Sequence, residues 1–296
     1  MKQINLIILC ALLLSQTAQA NLQIFACEPE WAALSEELGG NLITAHSATK
    51  AGQDPHHIQA RPSLIAKIRQ ADLLVCSGAD LEVGWLPLLL RKSRNNQIQA
   101  GKKGYFMATQ MVKLLDKPQI IDRSMGDVHA TGNPHIQLDP RRIKIVAKKL
   151  SQRLQQIDPR NAALYQQKLM DFKIRWQKAI KQWQAKTYDL RGKKIIVHHN
   201  SWVYLQQWLK LDKVAELEPK PSVPPTTSHL SALLKQMKKS PADLIIYSTY
   251  QSPKAAKWLA KKTHIKTVAL SSTVNEGESL FHWMDRITDL LKEKMQ

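Results

Sequence analysis

Cysteine, glycine, proline and aromatic residues are all scarce in this 296-residue sequence, and each scarcity excludes a class of protein. Three Cys are too few for a small disulfide scaffold. Eleven Gly and 14 Pro are too few for a fibrous or linker-rich chain. A hydrophobic fraction of 44% with 23% charged residues is typical of a folded globular protein, and the length suggests two domains.

Acidic residues are also scarce relative to basic ones, since 24 Asp and Glu oppose 43 Lys and Arg. The resulting formal net charge of +19, with the 10 His counted neutral, is compatible with nucleic acid, an anionic membrane surface or a solvated exterior. The cations are spread along predicted helix faces, and neither an aromatic RNA-binding box nor a Cys/His finger accompanies them. We therefore interpret most of this charge as solvated surface and expect no nucleic-acid partner.

After residue 20 no apolar run approaches the length of about eighteen residues that a membrane anchor needs. The first twenty residues are typical of a secretory signal peptide: Lys2 is followed by the apolar stretch 6–14 and by the cleavage site Ala18-Gln19-Ala20. Cys10 follows a Leu, where lipid attachment requires a small residue. We expect cleavage after Ala20, no lipid anchor and a periplasmic mature chain.

Short β-type runs alternate with helical segments in both halves of the mature chain, which predicts parallel βαβ units. Strands are predicted over 22–27, 41–45, 72–76, 194–197, 214–217, 243–247 and 267–270. Between them helices are predicted over 31–38, 64–69, 80–90, 202–209, 230–238, 253–262 and 280–294, with Ser63 and Ser228 as caps. The motif Ala71-Asp72-Leu73 returns as Ala242-Asp243-Leu244, which suggests two lobes of similar construction.

The region from residue 140 to about 186 has no strand signal. Its apolar residues follow helical spacing on an otherwise basic segment, as one stripe of Tyr165, Leu169, Phe172, Trp176, Ile180 and Trp183. We expect this stripe to pack against both flanking domains. The predicted fold class is therefore α/β, with two lobes, each a parallel sheet flanked by helices, at 21–139 and 191–296, joined by a long rigid helix within 140–190.

Two cysteines remain in the mature chain, Cys27 and Cys76, and both fall on predicted strands. An oxidising compartment would allow them to pair. We favour the alternative that they are two small buried hydrophobic residues.

Three histidine motifs occupy similar settings, each after a strand or at a Pro turn. They are Asp54-Pro55-His56-His57, Asn133-Pro134-His135 and His198-His199-Asn200. Ligands of open α/β sheets gather at the carboxyl ends of the strands, and imidazole nitrogen suits zinc and neighbouring metals. A single histidine of this kind would more often be an ordinary turn residue. Three such motifs, spread over both halves of the chain, make a shared metal site an alternative to that interpretation.

The strings DPHHIQARPSLIAKIRQADLLVCSGADLEVGWL, GNPHIQLDP and VHHNSWVYLQQWLKL resemble the zinc- and manganese-type periplasmic solute-binding proteins of ABC transporters. This resemblance covers nearly the whole mature chain. It implies two α/β lobes bridged by a rigid helix, with a metal in the cleft between them. The family's three histidine ligands correspond to His56, His135 and His199, while His57, His129 and His198 lie around the site or at its entrance.

The family often closes its site with an Asp after the last strand, where this chain has Leu270-Ser271-Ser272. The resemblance therefore leaves a fourth ligand to water, Glu276 or Glu278. The long His- and acid-rich loop of zinc-type relatives is reduced to residues 122–131, which contain Asp127 and His129.

The favoured function is a non-enzymatic, monomeric receptor that binds zinc, or less favourably manganese, and delivers it to a membrane permease. Nitrogen-rich ligand sets favour zinc over manganese. A zinc hydrolase is an alternative, but the sequence has no H-E-x-x-H helix and no carboxylate placed as a general base. A metal-linked adhesin or polyanion-binding protein is the third possibility.

Overall fold

The computed structural model describes residues 21–119 and 128–296. The predicted signal peptide and Asp127, with the rest of 120–127, lie outside this range, so cleavage after Ala20 stays a prediction. In the described part of the chain, no helix combines the length and apolar character needed to cross a membrane.

The first sheet contains four parallel strands in the order β2-β1-β3-β4. Strands and helices alternate along the chain as predicted: β1 (Leu22–Ala26), α1 (Pro29–Gly39), β2 (Ile43–Ser47), α2 (Pro62–Arg69), β3 (Leu73–Cys76), α3 (Leu86–Ser93) and β4 (Tyr105–Met107). All four residues of β3 are buried, as expected of a central parallel strand covered on both faces.

Two helices separate this sheet from the second one. They are α4 (Pro140–Ile157) and α5 (Ala162–Lys186), and they pack on each other. The second sheet is also fully parallel, in the order β6-β5-β7-β8. Its elements are β5 (Lys194–Val197), α6 (Val203–Leu209), β6 (Asp212–Glu216), α7 (Thr227–Lys239), β7 (Leu244–Ser248), α8 (Lys254–Thr263), β8 (Lys266–Leu270) and α9 (Leu280–Met295).

The two sheets repeat one construction, and their paired aspartates show how. Asp72 Oδ2 accepts a hydrogen bond from Gln23 N at 2.7 Å, and Gln23 O accepts one from Asp72 N at 2.8 Å. Asp243 forms the same reciprocal pair with Lys194, at 2.7 Å in both directions. Each Asp therefore fixes the start of a third strand beside the first, which is the physical basis of the sequence echo.

The apolar stripe of α5 is buried along its whole length, in one core that includes residues of both sheets. Trp176 Nε1 donates to Pro140 O at 2.7 Å, and Trp183 Nε1 donates to Asp285 Oδ1 at 2.7 Å. The expected structural role of the stripe and the predicted fold class are thus confirmed. The domain boundaries 21–139, 140–190 and 191–296 stay predictions, although each sheet falls inside its expected lobe.

Local predictions failed where the backbone turns. The helix predicted over 80–90 begins only at Leu86: Ala79 and Asp80 have positive φ angles of 52° and 65°, and Trp85, directly before the helix, has a φ of −140°. Neither predicted serine cap is used: α2 starts one residue before Ser63, and α7 is capped by Thr226, whose Oγ1 accepts from His229 N at 3.3 Å. Strand β4 was missed because three residues give no periodicity.

The expectation of two unpaired buried cysteines is wrong. Cys27 and Cys76 form a disulfide between the ends of β1 and β3, with their Cα atoms 4.8 Å apart. Hydrogen bonding already holds these adjacent strands side by side, and Cys27 N donates to Val75 O at 2.9 Å. The pairing could not be read from two cysteines 49 residues apart, because strand order decides it.

Replacing both cysteines by Ala should lower the free energy of unfolding by about 2–4 kcal/mol, because the cross-link restricts the unfolded chain. Alanine is chosen since it adds no buried hydroxyl. Urea denaturation of the oxidised parent, the reduced parent and the double variant measures the effect, and reductant should change only the parent. Two titratable thiols per chain in denatured, unreduced protein would contradict the disulfide.

Candidate metal centre

The three histidines predicted from sequence lie together. His56 follows β2 on the Asp54-Pro55 turn, His135 follows the Asn133-Pro134 turn, and His199 follows β5. The ring centroid of His56 is 5.7 Å from that of His135 and 6.0 Å from that of His199. Residues from both halves of the chain therefore share one site beyond the carboxyl ends of two parallel strands.

His129, which we expected at the periphery, is a full member of this cluster. Its Nε2 lies 3.2 Å from His56 Nε2, and its ring centroid is 6.3 Å from that of His135. One nitrogen each of His56, His129 and His135 lie within 4.8 Å of one another. The presence of His129 beside the Asn-Pro-His turn was the available signal, but the resemblance supplied no ligand at this position.

Two carboxylates orient the rings. His56 Nδ1 is 2.7 Å from Asp54 Oδ1, and His199 Nδ1 is 2.7 Å from Glu218 Oε2. Because a carboxylate accepts the Nδ1 proton in this tautomer, each ring keeps the Nε2 lone pair for the cluster. Neither carboxylate was predicted from the sequence as a partner of these rings, because Glu218 lies 19 residues from His199 and only the fold brings the two together.

The electrostatics of the site keep these groups in complementary states. Burial would raise the pKa of Asp54, but the hydrogen bonds and charge of His56 outweigh it and the pKa is lowered. Burial, with repulsion from His56, His129 and His199, holds the pKa of His135 well below its ordinary value. His135 is 2% exposed, and its Nε2 has no hydrogen-bond partner among the described residues. A buried neutral imidazole with an unused lone pair is suited to a metal ion.

The remaining candidates lie outside the cluster. His57 is exposed, whereas His198 is buried with Nε2 3.7 Å from Glu218 Oε1, and burial lowers the pKa of His198. The suggestion of Glu276 or Glu278 as the fourth ligand is corrected. Both oxygens of Glu278 accept from Arg286, at 2.9 and 2.8 Å, while the Glu276 side chain is 89% exposed and 3.6 Å from Lys50 Nζ.

Ser271 does not replace the missing carboxylate. Its side chain is buried, and its Oγ donates to Thr273 O at 2.6 Å. Among the described residues, donor atoms of His56, His129 and His135 lie within 4.8 Å of one another, and the ring centroid of His199 is 6.0 Å from that of His56.

Three buried glutamates form a second polar group between the lobes. Glu28 Oε2 accepts from Ser77 N at 3.2 Å, both oxygens of Glu82 accept from Gly78 N, and Glu30 accepts from the hydroxyl of Thr273. Burial raises the pKa of Glu30 and of Glu82 to about 7. Burial and the charges of the other two glutamates raise that of Glu28 well above its ordinary value. This group is distinct from the histidine cluster.

These raised pKa values predict a loss of stability as the pH rises. A Glu with a pKa of about 4.5 unfolded and about 7 folded binds more protons when folded, so its contribution falls by about 2 kcal/mol between about pH 5.5 and pH 8. His135, with its lowered pKa, acts in the opposite direction. Glu82→Gln should therefore flatten the decline in unfolding free energy relative to the parent, while the exposed control Glu276→Gln should not. Parallel pH profiles of parent and Glu82→Gln would contradict this.

Two lobes of one construction, with buried imidazoles contributed by both, define a metal-binding receptor of the two-lobed type. The chain belongs to the family described as the periplasmic component A of the zinc-uptake complex, which matches residues 24–294. The resemblance stated from the sequence, to metal-binding solute-binding proteins of ABC transporters, is thereby confirmed.

Individual relatives are distant but cover nearly the whole chain. The metal ABC transporter substrate-binding lipoprotein SloC of Streptococcus mutans is 24% identical over 282 residues, 91% of this chain and 89% of the relative. The manganese ABC transporter substrate-binding lipoprotein PsaA of Streptococcus pneumoniae is 21% identical over 281 residues, 91% and 87% of the two chains.

Solved structures show the same fold. A crystal structure of ZnuA superposes with a TM-score of 0.78 at 19% identity, covering 94% of this chain and all of that one. A mutant of the laminin-binding adhesin Lmb of Streptococcus agalactiae gives 0.73 at 21% identity, covering 93% and 100%. At these identities the comparison establishes the architecture and not the ligand.

Proposed function

We propose that this protein captures a divalent transition metal, zinc in preference to manganese, and delivers it to the membrane permease of an ABC transporter. The observation that carries the proposal is the convergence of His56, His129 and His135, whose donor atoms lie within 4.8 Å of one another, with His199 of the second lobe beside His56. The unpaired, neutral Nε2 of His135 leaves a desolvated lone pair that a metal ion would satisfy.

The site also suggests how capture and release proceed. Asp54 and Glu218 hold the rings of His56 and His199 through their Nδ1 atoms, which leaves the Nε2 atom of each ring available to an ion. His199 belongs to the second lobe, whereas the other three histidines belong to the first. A bound ion would therefore link the two lobes. Separation of the lobes would remove the ligand His199 and lower the affinity for the ion.

A binding role fits these residues better than hydrolysis. Four imidazoles complete a tetrahedral zinc site, whereas catalytic zinc keeps a position open for water. Both nearby carboxylates, Asp54 and Glu218, already accept from ligand histidines, and neither is left as a general base. The relatives named as substrate-binding components of transporters support the same role.

We further propose that the chain is exported to the periplasm by residues 1–20, with cleavage after Ala20, and acts as a monomer without nucleic acid. The Cys27–Cys76 disulfide supports an oxidising compartment, because such bonds are rare in the cytosol.

Alanine at His56, His129, His135 or His199 should weaken zinc binding more than tenfold, or about 1.4 kcal/mol per decade. Competition with a chromophoric zinc chelator measures the affinity, and the unfolding free energy of the apo-protein should change by less than about 1 kcal/mol. His57→Ala, on the same turn as His56, is the matched control and should bind like the parent. Undiminished zinc affinity in His129→Ala would show that His129 is not a ligand and would favour water as the fourth ligand.

Zinc should bind at least about a hundredfold more tightly than manganese, because the donors are all nitrogen. A competition titration of the two metals tests this ratio, and His129→Asp, which introduces an oxygen donor, should narrow it. Equal affinities in the parent would show that oxygen ligands complete the site and would favour the manganese alternative.

A further inference from the structure

The pair of linking helices presents a strongly basic surface to solvent. Helices α4 and α5 contain a single acidic residue, Asp171. Two adjoining grooves between the helices share Lys144, Lys173 and Gln177, and none of the described residues that line either groove is acidic. We call this surface the α4–α5 basic face; its lysines are Lys144, Lys148, Lys149, Lys173, Lys178 and Lys181.

Large aliphatic side chains are exposed among these lysines. Ile145 is 47% exposed, Met170 46% and Ile174 68%, and all three line the two grooves. Exposure of these apolar side chains to water is unfavourable. The flanking lysines can extend their charged ends into solvent while their aliphatic stems cover apolar surface. A helical surface that alternates cations with exposed aliphatic residues is typical of binding in the plane of a membrane interface.

We propose that the α4–α5 basic face binds the anionic headgroups of a phospholipid membrane and holds the receptor at the membrane surface. Lysine attracts anionic lipid as a point charge, and the aliphatic residues can enter the headgroup boundary. Single-stranded nucleic acid would instead favour exposed aromatic side chains for base stacking, and the exposed apolar residues of this face are all aliphatic. The proposal is independent of which metal the protein binds.

A non-covalent contact with the membrane needs no lipidated cysteine, and within residues 21–296 both cysteines, Cys27 and Cys76, are joined in the disulfide. The relatives reported above are named lipoproteins. The α4–α5 basic face is separate from the metal centre, because none of His56, His129, His135 and His199 lines either groove.

The second sheet provides a control surface of the same charge. Helices α7 and α8 contain no acidic residue, and Lys235, Lys238, Lys257 and Lys261 are exposed on them. Among the described residues their one large exposed apolar side chain is Trp258, at 37%. Changing four lysines to Glu on either surface alters the formal charge equally, so only location distinguishes the two variants.

The experiment is flotation of the mature, zinc-loaded protein with phosphatidylcholine vesicles and with vesicles that also contain phosphatidylglycerol. The parent should bind only the anionic vesicles, and less at about 0.5 M than at about 0.1 M NaCl. Lys148→Glu, Lys149→Glu, Lys178→Glu and Lys181→Glu together should weaken binding more than about tenfold. The matched α7–α8 quartet should stay within about threefold of the parent, and retained zinc binding in both quartets verifies their folding.

Equal losses in the two quartets, or a greater loss in the α7–α8 quartet, would overturn the assignment to this face. Failure of the parent to bind anionic vesicles would overturn the proposal, including the case in which it binds heparin or an oligonucleotide instead. Ile145→Ser with Ile174→Ser should weaken vesicle binding while leaving heparin binding unchanged. Unchanged vesicle binding in that variant would exclude insertion and with it the choice of a membrane.

Discussion

A buried imidazole that lies among other imidazoles is costly to protonate, because the added charge would repel any charge on its neighbours with little water to screen it. His135 carries this constraint most directly, since burial and its three neighbours hold its pKa well below the ordinary value. The neutral ring of His135 keeps a lone pair that a metal ion can accept. Asp54 and Glu218 accept the Nδ1 protons of His56 and His199, so Nε2 is the nitrogen of each ring with a free lone pair. The same two carboxylates balance the charge of a divalent ion, so a site without an anionic ligand need not hold an uncompensated dication.

The position of these histidines depends on a scaffold that holds the two separate sheets in a fixed relative position. The repeated Asp pairs, Asp72 with Gln23 and Asp243 with Lys194, set the same strand order in each lobe. Histidines that follow strands of the two sheets, His56 and His199, lie with their ring centroids 6.0 Å apart. The aromatic stripe of α5 packs against both lobes in one continuous core. The ring centroid of Trp176 lies 5.2 Å from that of Phe172 and 5.1 Å from that of Trp183. Large rings packed in this way resist small displacements, which keeps histidines from distant parts of the chain within reach of one ion.

The parts that sequence predicts are those with local signals. Periodicity placed most strands and helices, and Pro turns and strand ends marked His56, His135 and His199, which the fold brings together. His129 was placed at the edge of the site because no family position suggested a ligand there. The pairing of Glu218 with His199 depends on how the chain after β6 folds back towards β5, and the disulfide depends on strand order. Neither relation leaves a trace in spacing along the chain.

A protein of net charge +19 that binds a cation presents an apparent contradiction, which the placement of the charges resolves. Solvent-exposed charges beyond about 10 Å are largely screened at physiological ionic strength, so the lysines on outer helices contribute little to the potential at a buried site. The carboxylates nearest to the ring nitrogens are those of Asp54 and Glu218, whose oxygens lie 2.7 Å from Nδ1 of His56 and of His199. The basic exterior can therefore serve the membrane contact proposed above without opposing the proposed binding of a dication in the interior. The two electrostatic tasks are separated by distance and burial, and neither needs to be weakened for the other.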